Sequence, residues 1–105
     1  MTRSANYSLK LASERRLSDR LAVVIYGEAL EIGKSHLRVM IKDLSPQGAM
    51  FVSEHDWKAG SRIWLFFPSG FAVGGKVMWT NRRNHGCQFL HRLSEAELQL
   101  AQSRR

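Results

Sequence analysis

The feature that most limits the fold is a succession of six short apolar segments, each bounded by turn formers. LAVVIY (21–26) is a continuous apolar run, while LRVMIK (37–42) alternates, with Leu37, Val39 and Ile41 on one face. AMFVS (49–53), RIWLFF (62–67), FAVGGKVMWT (71–80) and GCQFLH (86–91) continue the series. Between them lie EALEIGKS, DLSPQG, EHDWKAGS, PSG and NRRN, rich in turn-forming residues and several short enough for hairpins. No crossover helix separates the strands, so they are expected to pair antiparallel. Closing the sheet removes its exposed edges, and the expected fold is therefore a six-stranded antiparallel β-barrel. In the fifth strand Phe71, Val73, Gly75, Val77 and Trp79 share one face, and Gly74-Gly75 marks the expected bend or bulge of the wall.

The period changes in the tail, LSEAELQLAQSRR. Ser94 fits an N-cap with Glu97 three residues on, and Leu93, Ala96, Leu100 and Ala101 fall on one helical stripe that leaves Leu98 outside it. The fold class is thus all-β with a C-terminal helix. Arg104 and Arg105 suit the helix C-terminal dipole, or a frayed tail. A chain of 105 residues with 44% hydrophobic content suits one domain. Residues 1–13 read as a flexible N-terminal arm and residues 14–105 as the barrel with its helix.

The single cysteine, Cys87, excludes an internal disulfide framework and a thiolate zinc cage, which points to a reducing compartment. It lies in a strand-like run without a base beside it and reads as a buried core thiol. No stretch approaches the length of a membrane span, and MTRSANYSLKLAS lacks the apolar segment of a signal peptide, so the expected location is the cytoplasm. Gly27 and Gly33 are separated by five residues where a phosphate-binding loop requires four, and no helical pattern follows; that segment reads as a hairpin loop. His36, His55, His85 and His91 show no metal-ligating spacing, and no metal is expected. Nothing in these patterns argues for an enzyme.

The net charge of +7 is unevenly spread. Residues 1–20 carry five Lys/Arg against two acids, residues 21–75 five against five, and residues 76–105 six against two. Basic flanks around a neutral middle suit an anionic partner, or only a solvated surface. Two stretches sharpen the choice. RRLSDR, residues 15–20, puts Arg16 and Arg20 four apart with Arg15 adjacent, and its apolar content is too low for a packed helix; alone it also reads as a solvated linker. DLSPQG, residues 43–48, fits a type I turn starting at Ser45, with Pro46 and Gly48 at the favoured positions. Such a turn does not demand Asp43 and Ser45, whose oxygens can face the barrel rim.

Arg16-x-x-x-Arg20 followed by Asp43-x-Ser45-x-x-Gly48, inside a helix-closed barrel, resembles the PilZ domain, the bacterial cyclic di-GMP receptor. The resemblance covers roughly residues 14–102 and includes the strand VMW and the later Gly86 and Phe89. It implies a non-enzymatic, cofactor-free effector that binds cyclic di-GMP through Arg16, Arg20, Asp43, Ser45 and Gly48. An arginine at position 15 implies two intercalated ligand molecules per site. The resemblance lets Trp79 stack on a guanine, while a place in the core remains open to so large a ring. It also implies a downstream protein partner, in motility, exopolysaccharide or biofilm control, that no residue here identifies.

The ligand's chemistry suits these residue types. Guanidinium groups donate paired hydrogen bonds to phosphate oxygens or to guanine O6 and N7, which an ammonium cannot. An ionised Asp43 only accepts, so it suits guanine N1–H and N2–H and repels phosphate. Gly48 permits close backbone approach. Two rival readings stand beside this one. A small basic barrel can bind single-stranded nucleic acid, with Trp57, Trp64, Phe66, Phe67 and Trp79 as stacking platforms. A ligand-free protein adaptor is the other.

Overall fold

The structure, a computed structural model, describes residues 4, 5, 7, 8 and 20–103. Ser4–Ala5 (β1) and Tyr7–Ser8 (β2) pair in a two-residue parallel ladder. The barrel is built from β3 (Leu21–Glu31), β4 (Leu37–Leu44), β5 (Gly48–Val52), β6 (Arg62–Phe66), β7 (Ala72–Asn81) and β8 (Asn84–Phe89). All its pairings are antiparallel, and the strands close in the order β3, β4, β5, β8, β7, β6. The expected fold class is therefore the observed one.

Three strand boundaries and features differ from the sequence reading. The first barrel strand runs on to Glu31, through half of the segment read as a loop, because it serves two neighbours: Leu21 to Ala29 pair with β4, and Glu28 to Glu31 with β6. That second ladder closes the barrel and satisfies backbone groups that a loop would leave to water. The last strand spans Asn84–Phe89 rather than 86–91. Gly74 and Gly75 do not form a bulge; they pair regularly with Trp64 and Ile63. Their missing side chains serve close packing instead, since a Cβ on Gly75 would press on the Gln88 carbonyl oxygen at 2.9 Å.

The barrel interior is filled by Ile41, Leu44, Phe51, Leu65, Val73, Val77, Cys87 and Phe89, with Ala29 and Ala49 where the walls approach. Trp57, from the loop between β5 and β6, plugs the core: it is 1% exposed, and its indole N–H donates to the Ser53 hydroxyl at 3.0 Å. His85 is wholly buried, stacked on Phe51 with ring centroids 5.3 Å apart, and neither ring nitrogen has a hydrogen-bond partner. Burial pushes the Cys87 thiol up to about 12, as expected for a core cysteine.

The helix α1 (Glu95–Gln102) begins as expected: the Ser94 hydroxyl accepts from the Glu97 amide at 3.1 Å, and the Glu97 carboxylate accepts from the Ser94 amide at 2.9 Å. Its buried face is different. Leu93 and Ala101 are buried and Leu98 packs on the core, whereas Ala96 faces solvent and Leu100 is exposed. Leu98 and Ala101 are three apart and share a side, which the stripe through Ala96 and Leu100 does not match. Arg104 and Arg105 lie outside the described residues. No helix among the described residues is long and apolar enough to cross a membrane.

Candidate functional site

A cleft of about 500 Å³ opens on the outer surface where the start of β3, the β4–β5 turn, β7 and β8 meet. Arg20, Asp43, Ser45, Gly48 and Trp79 all line it, although they come from three separate parts of the chain. The registers explain the gathering. Asp43 pairs with Met50, Met50 with Gly86, and Gly86 with Trp79, so these four residues form one row across β4, β5, β8 and β7. At the usual strand spacing the row is about 14 Å long. The acid stands at one end and the indole at the other.

Strict alternation would put both end residues inside the barrel. Continuing the inward series Leu37, Val39, Ile41 leads to Asp43, and continuing Val73, Gly75, Val77 leads to Trp79. Two β-bulges prevent it. Between Ile41 and Asp43, β4 spends two residues against one of β5; between Val77 and Trp79, β7 does the same against β8. Each extra residue, Lys42 and Met78, resets the parity and turns the next side chain outward. Trp79 is accordingly 46% exposed and lies in the cleft rather than the core. Its indole rests on Gly86, where any Cβ would collide with the ring, so only a glycine partner leaves the ring in this position.

The turn from Asp43 to Gly48 is closed by side chain as well as backbone. The Ser45 amide donates to the Gly48 carbonyl at 2.9 Å, and the Gly48 amide donates to the Ser45 hydroxyl at 3.2 Å. Ser45 is thus used by the turn itself, contrary to the expectation that the turn has no need of it. Gly48 has ordinary backbone angles; it is required because a Cβ would strike the Cys87 carbonyl oxygen on β8. The turn is also tied to the segment leading to α1, since Phe89 N–H donates to the Gln47 carbonyl and Leu93 N–H to the Pro46 carbonyl, both at 2.8 Å.

Arg20 immediately precedes β3, whose residue Ala22 pairs with Asp43, and this places the two charges together. The guanidinium Nη2 stands 3.5 Å from Asp43 Oδ2, with side chains 64% and 29% exposed. So open a pair contributes little to stability and is free to exchange for a ligand. Arg15 and Arg16 lie outside the described residues, as does the proposed arm 1–13 apart from its two short strands.

Among the other ring residues, Trp57 and Phe67 are buried, Phe66 is half-buried and stacks on His36, and Trp64 is exposed at 44%. No group of three His, Cys, Asp or Glu that could hold a metal occurs among the described residues. Met50, Met78, Gly86 and Gln88 also line the cleft. Sequence reading gave none of them a place in the site, and their only signal would have been the bulges, which alternation does not reveal.

The small closed barrel thus carries on its outer wall a cleft lined by Arg20, Asp43 and a bulge-mounted indole. A sequence model of the PilZ domain matches residues 14–103. The chain therefore belongs to the PilZ family, whose domains are generally cyclic di-GMP-binding adaptor modules rather than enzymes. No curated protein matches the sequence.

Proposed function

We propose that the protein is a cyclic di-GMP effector whose site is this cleft together with the Arg15-Arg16 pair. The observation that carries the reading is that Arg20, Asp43, Ser45, Gly48 and Trp79, scattered over sixty residues of chain, line one opening. Arg16 and Arg20 fork onto phosphate oxygens or guanine O6 and N7, Asp43 accepts from guanine N1–H and N2–H, and Trp79 stacks on a base. Ser45 and Gly48 hold the turn so that the ligand approaches backbone. Arg15 adds the charge needed for two stacked ligand molecules. A micromolar dissociation constant needs about 8 kcal/mol. Charge-assisted hydrogen bonds of roughly 1.5–3 kcal/mol each meet that with a few contacts. On this reading the ligand draws residues 1–20 across the barrel, and the altered position of the arm is relayed to a partner protein.

Titration calorimetry with cyclic di-GMP, cyclic di-AMP and a short oligonucleotide tests it. Only the first should bind, and Arg16→Ala and Asp43→Ala should each weaken it at least tenfold. Unchanged affinity in both variants rejects the site, and preference for the oligonucleotide rejects the ligand. Hydrogen exchange of residues 1–20 tests the relay: protection should rise with ligand, and equal protection discards it.

A further inference from the structure

A second row runs beside the first on the same outer surface. Gly48 pairs with Gln88, Gln88 with Lys76, and Lys76 with Arg62. Gln88 lines the cleft, so the row leaves the turn, follows the cleft wall and ends on two cations directly opposite one another. Side chains so placed stand about 4.5–5.5 Å apart at Cβ, and like charges there repel. Both residues are exposed, and neither joins an ion pair among the described residues, whose carboxylates contact Arg20, His36, Arg83 and His91 instead. The next row bounds them with apolar surface: Leu30 pairs with Trp64 and Trp64 with Gly74, and Leu90 donates its N–H to the Gly74 carbonyl at 2.9 Å. Two such unpaired cations, one and two strands beyond the cleft-lining Gln88 and bordered by the exposed Trp64 and Leu90, stabilise nothing in the free barrel. An anion bridging both side chains would convert their repulsion into attraction.

We infer that Lys76 and Arg62 form an anion subsite continuous with the cleft, which holds the phosphodiester edge of bound cyclic di-GMP that faces away from Arg20. The inference rests on the ligand proposed above. Arg62 offers the two-pronged fork that matches a phosphate, and Lys76 a mobile point charge at its flank. Arg20, just before β3, and this pair on β7 and β6 then stand at opposite ends of the row through Ser45, Gly48 and Gln88, so the ligand is held from both ends while its bases face Asp43 and Trp79 on the neighbouring row.

The test is calorimetric titration of the full chain with cyclic di-GMP at two salt concentrations, using wild type, Lys76→Ala, Arg62→Ala, the double variant and Asp43→Ala. Each single replacement should weaken binding roughly three- to tenfold and the double more, by loss of charge-assisted contacts. The salt dependence should become shallower with each cation removed, because fewer counterions are displaced. The melting temperature of the double variant should equal or exceed that of wild type, since a repulsion is relieved, which separates lost binding from lost folding. A double variant with wild-type affinity and salt dependence, alongside an Asp43→Ala variant that fails to bind, overturns the subsite and leaves the cleft assignment standing. A wild type that does not bind overturns both.

Discussion

Gly86 and Trp79 show how one missing side chain shapes a site. The indole lies where a Cβ on Gly86 would be, so the ring is held flat along the cleft floor by the shape of its cross-strand partner. In Gly86→Ala the ring must lift, and because it is half-exposed it can do so toward solvent. Stability should therefore fall by less than about 1 kcal/mol, as for a substitution outside the core. Cyclic di-GMP affinity should fall about tenfold, or about 1.4 kcal/mol, if Trp79 supplies the stacking surface. Denaturant melts and a tryptophan-fluorescence titration measure the two; retained affinity with a displaced ring removes Trp79 from the ligand contacts. Ser45 teaches a related point. Its hydroxyl is held by the Gly48 amide, so a residue that reads as a ligand contact is first a fastener of the turn.

Among the elements, the two bulges and the short helix do most to position the cleft. The β4–β5 turn hangs from the last residue of β8 through the Gln47 carbonyl and from the segment before α1 through the Pro46 carbonyl, so the rim of the cleft depends on how that segment is anchored. The anchor is α1, started by the reciprocal Ser94 and Glu97 bonds and held by Leu93, Leu98 and Ala101. Ser94→Ala should cost about 1 kcal/mol through loss of the cap. It should also increase hydrogen exchange at the Leu93 amide, whose acceptor lies in the turn. Exchange that stays unchanged there while the helix frays would show the turn to be independent of α1. The Glu97 carboxyl is held below its ordinary range, first by the bond from the Ser94 backbone and further by His91. The cap is therefore complete near neutral pH and is lost as acid protonates Glu97.

At the scale of the whole molecule, positive charge gathers toward both ends of the sequence, and inside the barrel sits one histidine with no hydrogen-bond partner. Burial is the main influence holding the His85 pKa below its ordinary 6.5; Asp56 opposes the shift and His55 reinforces it. The folded state thus keeps His85 neutral while the unfolded chain takes up a proton first. Stability contributed by the neutral ring is fully present above 6.5, declines as the pH falls below it, and levels off once the folded form also protonates. The decline for one proton approaches about 1.4 kcal/mol per pH unit. His85→Leu, similar in bulk and needing no hydrogen bond, should flatten the profile between about pH 5 and 6.5, above the range where carboxylates titrate. Urea melts across that window measure it, and an equally steep variant would place the acid sensitivity elsewhere.

Much of this architecture follows from local pattern. Alternation in LRVMIK and RIWLFF, punctuated by short polar turns, determines six antiparallel strands, and closure follows from the need to remove edges. Ser94 with Glu97 determines where the helix starts. That the residues at 20, 43, 45 and 48 belong together was legible because their types and spacing are uncommon in combination. Which way Asp43 and Trp79 point was not legible, because alternation assigns both to the interior. That was decided only when each strand met a neighbour holding one residue fewer, so that an extra residue had to be looped out and the parity reversed. The pairing of Lys76 with Arg62 is of the same kind: register between strands is set by the whole closed ladder, and no single stretch of chain contains it.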